Sequence, residues 1–158
     1  MEPNTSPIQI QKLEDYNLLP FDLLLLADPS ETLVKQYLKD AEVFVYLLDQ
    51  KIAGVVVLYP LDTNNIEIKN IAVRPNLQGK GLGTQLLKFA KEFAKENEYD
   101  NIFIGTANSS LSQLYLYQKL GFEIQEIKHN FFLDNYPEPM EENGIPVKHM
   151  IMLKQCLK

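Results

Sequence analysis

The sequence predicts an α/β fold in which helices flank a mixed, mostly antiparallel sheet. The strongest evidence is a strand, a glycine loop and a helix that follow one another directly. Residues 66–73 are rich in β-branched side chains and predict the strand, residues 74–84 form the loop, and apolar residues at helical spacing predict a helix over 85–94. A strand at 101–105 then completes a strand–helix–strand unit, so it is predicted to pair in parallel with the strand at 66–73.

The remaining elements follow from periodicity and from turn and capping signals. Ser30 is a good N-cap for a helix whose apolar stripe ends at Leu38, and Gly121 is a good C-cap for the last long helix. An acidic, proline-rich loop is predicted at 134–144, and residues 1–6 are polar and expected to be loose. The other predicted strands are 8–13, 43–48, 52–59, 122–133 and 146–153, and the other predicted helices include 20–27 and 109–120.

Composition limits the functional classes that this chain can belong to. The length of 158 residues predicts one domain over 1–158, large enough to bury a core. A single cysteine, Cys156, excludes a disulfide framework and favours a reducing, cytoplasmic location. The formal net charge of −6 argues against a nucleic-acid partner, and the absence of an 18-residue apolar run argues against a membrane span.

The glycine loop predicts an anion-binding site. Gly79, Gly81 and Gly83 lie between a strand and a helix, where the first backbone N–H groups of the helix have no partner within it. Those donors and the helix dipole favour a phosphate group. Glycine allows the backbone to approach the phosphate closely, and Lys80 adds positive charge, although backbone donors should dominate.

Two familiar phosphate-binding motifs fit this loop poorly. A P-loop requires Ser or Thr after Gly-Lys, and here Gly79-Lys80 is followed by Gly81. A dinucleotide fingerprint requires Gly-x-Gly-x-x-Gly, and its acidic ribose partner would have to be Glu98 or Asp100. A dinucleotide-binding oxidoreductase would also place its first strand–helix–strand unit near the N-terminus, whereas this loop follows some 73 residues.

A third pattern, Gln/Arg-x-x-Gly-x-Gly/Ala, is met by Gln78, Gly81 and Gly83. It resembles the acyl-CoA pyrophosphate loop of the GCN5-related N-acetyltransferase (GNAT) family, and Ile-Ala-Val-Arg-Pro at 71–75 is similar to that family's fourth strand and its exit. Leu-Tyr-Gln-Lys-Leu-Gly-Phe at 116–122 resembles the family's Leu-Tyr-x-Lys-Leu-Gly-Phe segment. The resemblance extends over roughly residues 52–122.

The resemblance implies a GNAT-like fold whose parallel strand pair splays apart to form the CoA cleft. It implies acetyl-CoA as co-substrate and no metal. In the family an asparagine commonly lies seven residues before the tyrosine; here Ser110 has that position and Asn108 lies nine before, so either could bind the pantetheine, and Asn108 could instead be only a helix N-cap. The implied cofactor-binding residues are Ile71, Ala72, Val73, Gln78, Gly79, Lys80, Gly81, Leu82, Gly83, Thr84, Asn108 and Ser110.

Tyr117 is the first candidate catalytic residue, because the family's tyrosine stands beside the CoA sulfur. Ser110, Gln113 and Tyr117 share a polar helical stripe that would direct the hydroxyl into the site. The alternative is a core aromatic side chain, and the spacing favours the functional interpretation. The predicted core face of this helix consists of Leu111, Leu114 and Tyr115.

Glu67 is the second candidate, since it matches the position of the general base in some members of the family. Strand alternation places Glu67, Lys69 and Ile71 on one face. A solvated glutamate near a strand end is an equally weighted alternative, and many members use water in place of a side-chain base. His129 and His149 lack metal-ligand spacing with Cys156 and are interpreted as structural.

These observations predict an N-acetyltransferase that moves an acetyl group from acetyl-CoA to a primary amine of a small molecule or peptide by direct attack. The alternative is a non-catalytic acyl-CoA-binding or sensing module. The resemblance places the acidic loop and the first two helices at the acceptor pocket, so carboxylates there predict a cationic amine. A homodimer is left open, and neither a nucleic acid nor a membrane is expected as partner. The carboxylates are Asp22, Asp28, Glu31, Asp134, Glu138, Glu141 and Glu142.

Overall fold

A computed structural model describes residues 9–158, so the predicted loose segment at 1–6 and the first residue of the predicted strand at 8–13 lie outside the described residues. The larger strands are β1 (Gln9–Lys12), β2 (Glu42–Leu48), β3 (Lys51–Pro60), β4 (Asn65–Val73), β5 (Asn101–Ala107), β6 (Glu123–Lys128) and β9 (Met150–Cys156), with short strands β7 (Glu141–Glu142) and β8 (Ile145–Pro146). The helices are α1 (Phe21–Ala27), α2 (Glu31–Leu38), α3 (Leu82–Glu96), α4 (Leu111–Lys119) and α5 (Phe131–Asn135). None of these helices is long and apolar enough to cross a membrane.

Within residues 9–158 the larger strands form one sheet in the order β1-β2-β3-β4-β5-β9-β6, and β7 pairs with β8. Asn65–Ile68 of β4 pair in parallel with Asn101–Ile104 of β5, whereas β9 runs antiparallel to both of its neighbours. The predicted fold class, a mixed and mostly antiparallel sheet with a parallel strand pair, is therefore confirmed.

Contacts divide the chain into two compact units, and β4 contributes to both. The first unit contains the described part of Met1–Tyr59 together with Lys69–Phe93, and the second contains Pro60–Ile68 and Ala94–Lys158.

The first unit has apolar packing involving the short helices and α3. Leu23, Leu24 and Val34 are fully buried in a cluster that also contains alternate valines of β2 and β3. Ser30 caps α2 as predicted, because its Oγ accepts the Leu33 N–H at 3.2 Å. The Phe44 ring of β2 packs against two phenylalanines of α3, with ring centroids 4.9 and 5.1 Å apart: Phe89 and Phe93.

Close packing of α3 explains the glycine inside β3. A Cβ on Gly54 would lie 3.0 Å from Leu86 Cδ1 and 3.1 Å from the Ala72 carbonyl oxygen, so a larger residue would push the helix or the strand away. The hairpin before it turns at Asp49 and Gln50, which both have positive φ. Two consecutive positive φ values are characteristic of a tight hairpin turn.

The second unit corrects two predicted strands. The predicted strand at 122–133 ends at Lys128, because Asn130 adopts a left-handed φ of 60° and the short helix α5 follows. The acidic loop at 134–144 contains β7, and Asn143-Gly144 forms the turn that joins β7 to β8. Asn-Gly is a strong hairpin signal, so this hairpin was predictable from the sequence. The last strand consequently starts at Met150 rather than at 146.

Candidate active site

Arg74 anchors the strand end from which the glycine loop departs. Its backbone N–H donates to the Ala53 carbonyl oxygen at 2.9 Å, and its guanidinium Nε donates to the Ile52 carbonyl oxygen at 2.6 Å. The same guanidinium binds the Asp22 carboxylate at 2.7 Å, and this contact holds the pKa of Asp22 below its usual value. A 3-10 turn at Pro75–Leu77 and a bond of 3.1 Å from Gln78 Nε2 to the Val73 carbonyl oxygen then shape the loop.

The glycine loop is open and carries unused backbone donors. Gly79 and Gly81 have φ of +76° and +88°, and a Cβ at either one would meet no heavy atom of the described residues within 4 Å. The same open space surrounds the Cβ position of Gly83. The Gln85 N–H makes a helical bond to the Gly81 carbonyl oxygen at 3.1 Å. The N–H groups of 82–84 precede that bond at the start of a 15-residue helix, which is the arrangement that binds phosphate.

Asn70 ties β4 to the two short helices just before Ile71–Val73. Asn70 is 3% exposed, and its Nδ2 donates to the Leu24 carbonyl oxygen and to the Tyr37 hydroxyl, both at 2.9 Å. Burial raises the pKa of Tyr37. Asn70 was not among the predicted site residues, although a polar side chain on the same strand face as Ile66, Ile68 and Ala72 is a sequence signal for a buried hydrogen-bonding role.

In the second unit Glu67 is buried rather than solvated. Only 8% of Glu67 is exposed, and its Cα lies beside that of Phe103 in the parallel pair. The alternative of a solvated glutamate near a strand end is therefore wrong. A buried carboxylate is a stronger candidate for a chemical role than an exposed one, because its charge is less screened by water and so acts more strongly on a bound ligand.

Tyr117 is buried to 95% of its surface, and the predicted faces of α4 are wrong. Only 5% of Tyr117 is exposed, and its ring centroid lies 6.2 Å from that of Phe122. Leu111 and Tyr115, which were predicted to face the core, are 52% and 67% exposed. The spacing argument against a core tyrosine thus fails, because periodicity alone does not say which stripe packs inward. Burial raises the pKa of the Tyr117 hydroxyl.

The structure separates the two candidates for the pantetheine partner. Ser110 is the N-cap residue of α4, is 6% exposed and makes no side-chain capping bond. The interpretation of Asn108 as the helix N-cap is wrong. The Asn108 side chain instead binds the backbone of Pro146, Lys148 and His149.

The remaining charged candidates divide into paired and exposed groups. Asp22 binds Arg74, Asp28 accepts the Ser30 N–H at 3.1 Å, and Glu31 binds Lys35 at 2.8 Å.

The rings of His129 and His149 lie edge to face at 5.1 Å, and no group of three potential metal ligands occurs among residues 9–158. The four acidic residues of the loop at 134–144 are exposed: Asp134, Glu138, Glu141 and Glu142.

Comparison with known proteins agrees with the geometry of the loop. The sequence profile of the Acetyltransferase (GNAT) family matches residues 10–122. The chain is 47% identical over 150 residues to the uncharacterized N-acetyltransferase YvbK of Bacillus subtilis, covering 95% of this chain and 97% of that protein.

Two solved structures share both sequence and fold with this chain. One is a GNAT family acetyltransferase from Elizabethkingia anophelis with acetyl-CoA bound, with 49% identity, a TM-score of 0.93 and coverage of 96% of this chain and 99% of the other. The other is an IAA acetyltransferase from Bacillus cereus, with 41% identity, a TM-score of 0.90 and coverage of 94% and 99%. The predicted class, an acyl-CoA-dependent N-acetyltransferase, is confirmed: the chain belongs to the Acetyltransferase (GNAT) family.

Proposed function

We propose that this chain acts as a single N-acetyltransferase domain that transfers an acetyl group from acetyl-CoA to a primary amine of a small molecule or peptide. The observation that carries the proposal is the open glycine loop at the start of α3, with two left-handed glycines and backbone donors that precede the first helical bond. A relative of 49% identity with acetyl-CoA bound supports the choice of anion.

The loop would bind the pyrophosphate through the N–H groups of Leu82, Gly83 and Thr84, and Gln78 and Lys80 would supply further donors. Positive φ at Gly79 and Gly81 keeps side chains away from that anion. Backbone N–H groups of Ile71, Ala72 and Val73 would hold the acyl arm and polarise the thioester carbonyl. Ser110 would bind the pantetheine, because the amide of Asn108 is engaged elsewhere.

The reaction would proceed by direct attack. The neutral amine nitrogen forms a bond to the thioester carbonyl carbon, and the carbon–sulfur bond then breaks to release CoA as a thiolate. Glu67, or a water that it orders, takes the proton that the attacking nitrogen loses. Burial of Glu67 supports this role, since a carboxylate away from bulk water responds strongly to a nearby ammonium group.

Tyr117 would stabilise the departing sulfur chiefly as a hydrogen-bond donor. Its raised pKa keeps the hydroxyl protonated throughout the neutral range. Complete transfer of that proton to a thiolate, whose conjugate thiol has a pKa of about 8.5, would be uphill. A hydrogen bond to the developing negative charge lowers the barrier without complete transfer.

The acceptor proposed here is a cationic amine. The exposed carboxylates of the acidic loop support it, because such a cluster raises the local concentration of a polycation. The acidic residues of α1 and α2 support it less, since Asp22, Asp28 and Glu31 already have partners within the protein. IAA is a further compound to test, because the Bacillus cereus relative is called an IAA acetyltransferase.

The test is a screen of polyamines, aminoglycosides, lysine-bearing peptides and IAA against acetyl-CoA. Thiol release would be recorded, and mass spectrometry would identify the acetylated product. We expect amine-dependent thiol release matched by an acetylated amine. Calorimetric binding of acetyl-CoA without acetylation of any acceptor would favour the non-catalytic sensing module.

A further inference from the structure

We propose that Asn108 is a positioning residue that locks the acidic loop onto the junction between β5 and α4, and so fixes the start of the helix that carries Tyr117. The Asn108 Oδ1 atom accepts the backbone N–H groups of Lys148 and His149, both at 2.9 Å. Its Nδ2 donates to the Pro146 carbonyl oxygen at 3.1 Å. Its own backbone N–H donates to the His149 carbonyl oxygen at 2.9 Å.

These bonds use most of the hydrogen-bonding capacity of the Asn108 side-chain amide. Both acceptor positions of Oδ1 and one of the two Nδ2 protons are engaged, which leaves one proton for any other partner. The orientation of the amide is determined by chemistry, because Pro146 presents a carbonyl oxygen and the other two partners present N–H groups. Asn108 therefore holds a segment of the protein in place and has little capacity left for the cofactor.

The segment that Asn108 holds is also the platform for α5. The Phe132 N–H donates to the Lys148 carbonyl oxygen at 3.0 Å, and the Asn130 N–H donates to His149 Nδ1 at 2.9 Å. The acidic loop begins within α5, so one end of that loop reaches Asn108 through Lys148 and His149.

A second hydrogen bond joins the other end of the acidic loop to the same β5–α4 junction. Asn143, at the tip of the β7–β8 hairpin, donates from Nδ2 to the Ser109 carbonyl oxygen at 2.8 Å. Ser110 then begins α4 without a side-chain capping bond. Beyond the local backbone bonds from Ser110 to Ala107 and from Leu111 to Ser109, the contacts that fix this helix start are those of Asn108 and Asn143. The junction is therefore held from both ends of the acidic loop. Through it, the loop carboxylates, which are proposed to attract the amine, are coupled to α4, the helix that carries Tyr117.

This inference rests on the proposed roles of Tyr117 and of the acidic loop. Loss of the Asn108 bonds should release Pro146–His149 and loosen the helix start, which would lower kcat and raise KM for the amine. Acetyl-CoA affinity should fall only slightly, because the proposed phosphate site is the loop at 74–84 and Ser110, at the loosened helix start, would supply a single polar contact to the pantetheine. A direct pantetheine contact by Asn108 would predict the opposite pattern, with a loss of acetyl-CoA affinity.

The test compares Asn108→Ala and Asn108→Asp with Asn101→Ala, a control in which the same change removes one bond of 2.9 Å to Asn65, outside the acidic loop and α4. For Asn108→Ala we expect amide hydrogen exchange at Lys148 and His149 to accelerate about tenfold or more, with a similar rise in amine KM and a calorimetric Kd for acetyl-CoA that rises by no more than about threefold. Asn108→Asp keeps both acceptor positions and should recover much of the protection and part of the activity.

Unchanged exchange at Lys148 and His149 would overturn the inference, and so would unchanged kinetics despite faster exchange, or a Kd for acetyl-CoA that is weaker by about tenfold or more. If Asn108→Ala does not fold, Asn108→Asp and Asn143→Ala decide the question by the same measurements. If the parent acetylates no amine, the proposed function fails. Exchange and acetyl-CoA affinity in the variants then still decide whether Asn108 locks the loop or binds the cofactor.

Discussion

The side-chain amide of Asn70 donates to the Tyr37 hydroxyl at 2.9 Å, and both of its protons are used because it also donates to the Leu24 carbonyl oxygen. One buried residue of β4 therefore satisfies an acceptor on each of the two short helices. Asn70 directly precedes Ile71–Val73, the segment proposed to hold the acyl group. The hydrogen bonds that hold α1 and α2 to β4 are therefore made next to that segment.

Replacing Asn70 by alanine should destabilise the protein by about 1–3 kcal/mol, because the Tyr37 hydroxyl loses its bond to the amide and the Leu24 carbonyl oxygen keeps only the Asp28 N–H. Tyr37→Phe is the matched variant, since it removes only one partner and should cost about 1 kcal/mol. The measurement is the free energy of unfolding in urea. Equal costs for the two variants would contradict the view that Asn70 serves both helices.

The glycine loop allows a sharper test of cofactor binding than the removal of a donor. Gly83 lies in the first turn of α3 without a positive φ and has open space around it, so Gly83→Glu should fold without strain. The added carboxylate stabilises the helix start and repels pyrophosphate. We expect acetyl-CoA binding to fall below detection in calorimetry while Tm is retained.

Two further variants complete this experiment. Gly81→Glu should also lose binding, but its φ of +88° costs the side chain about 1–2 kcal/mol, so its Tm should drop. Lys88→Gln changes the net charge by the same amount on the exposed side of α3 and should bind acetyl-CoA normally. An unaltered affinity in folded Gly83→Glu would remove the phosphate loop from the proposed function.

The sequence predicted those parts of the molecule in which local pattern and packing agree. Gly79, Gly81 and the helix after them were recognisable because a loop with positive φ that must approach a ligand closely favours glycine, and this preference is local.

The errors arose where tertiary contacts decide the outcome. The inward face of α4 could not be chosen from the residues, since Leu111 and Tyr115 are apolar yet exposed while Tyr117 is buried. The hydrogen bond between Asn108 and His149 joins residues that are far apart in sequence, so no local sequence motif predicts it. The Asn143-Gly144 hairpin is different, because its signal was present in the sequence and was overlooked.

Tyr117→Phe should lower kcat by about 10- to 1,000-fold and leave the affinity for acetyl-CoA nearly unchanged. The hydroxyl is expected to act on the sulfur as the carbon–sulfur bond breaks, so its removal affects the transition state more than binding. Steady-state kinetics with the best amine from the screen measure the change. Tyr115→Phe, which alters an exposed ring on the same helix, is the control. A parental kcat in Tyr117→Phe would show that the departing sulfur does not depend on a hydrogen bond from this hydroxyl.

The raised pKa of Tyr117 has a consequence for stability at high pH. Above pH 10 the unfolded chain releases this phenolic proton while the folded protein retains it, so the free energy of unfolding should fall by up to about 1.4 kcal/mol per pH unit from this group. Its contribution is complete below pH 10 and is lost as pH rises toward the folded-state pKa. Tyr117→Phe should therefore show a shallower decline in urea unfolding between pH 10 and 11.5. An identical slope in the parent and the variant would contradict burial of the hydroxyl.

The acidic loop provides the test of a cationic acceptor. If its carboxylates attract a polycation, kcat/KM for that amine should fall as salt is added, because the Debye length shrinks to about 3 Å at 1 M. Replacing Glu138, Glu141 and Glu142 by lysine should raise KM for the amine.

The matched control reverses three exposed glutamates elsewhere, Glu14, Glu96 and Glu98, and therefore changes the net charge equally. Exposed charges often contribute little to stability, so both variants should fold. If the two triple variants have the same KM, the effect belongs to net charge and the loop has no special part in it. If the preferred acceptor is neutral or anionic, or if its KM does not respond to salt or to the reversal in the loop, the cationic-amine proposal fails. A rise in KM confined to the loop variant, together with a salt-dependent kcat/KM, would support attraction of the acceptor by these carboxylates, because only their position distinguishes them from the control set.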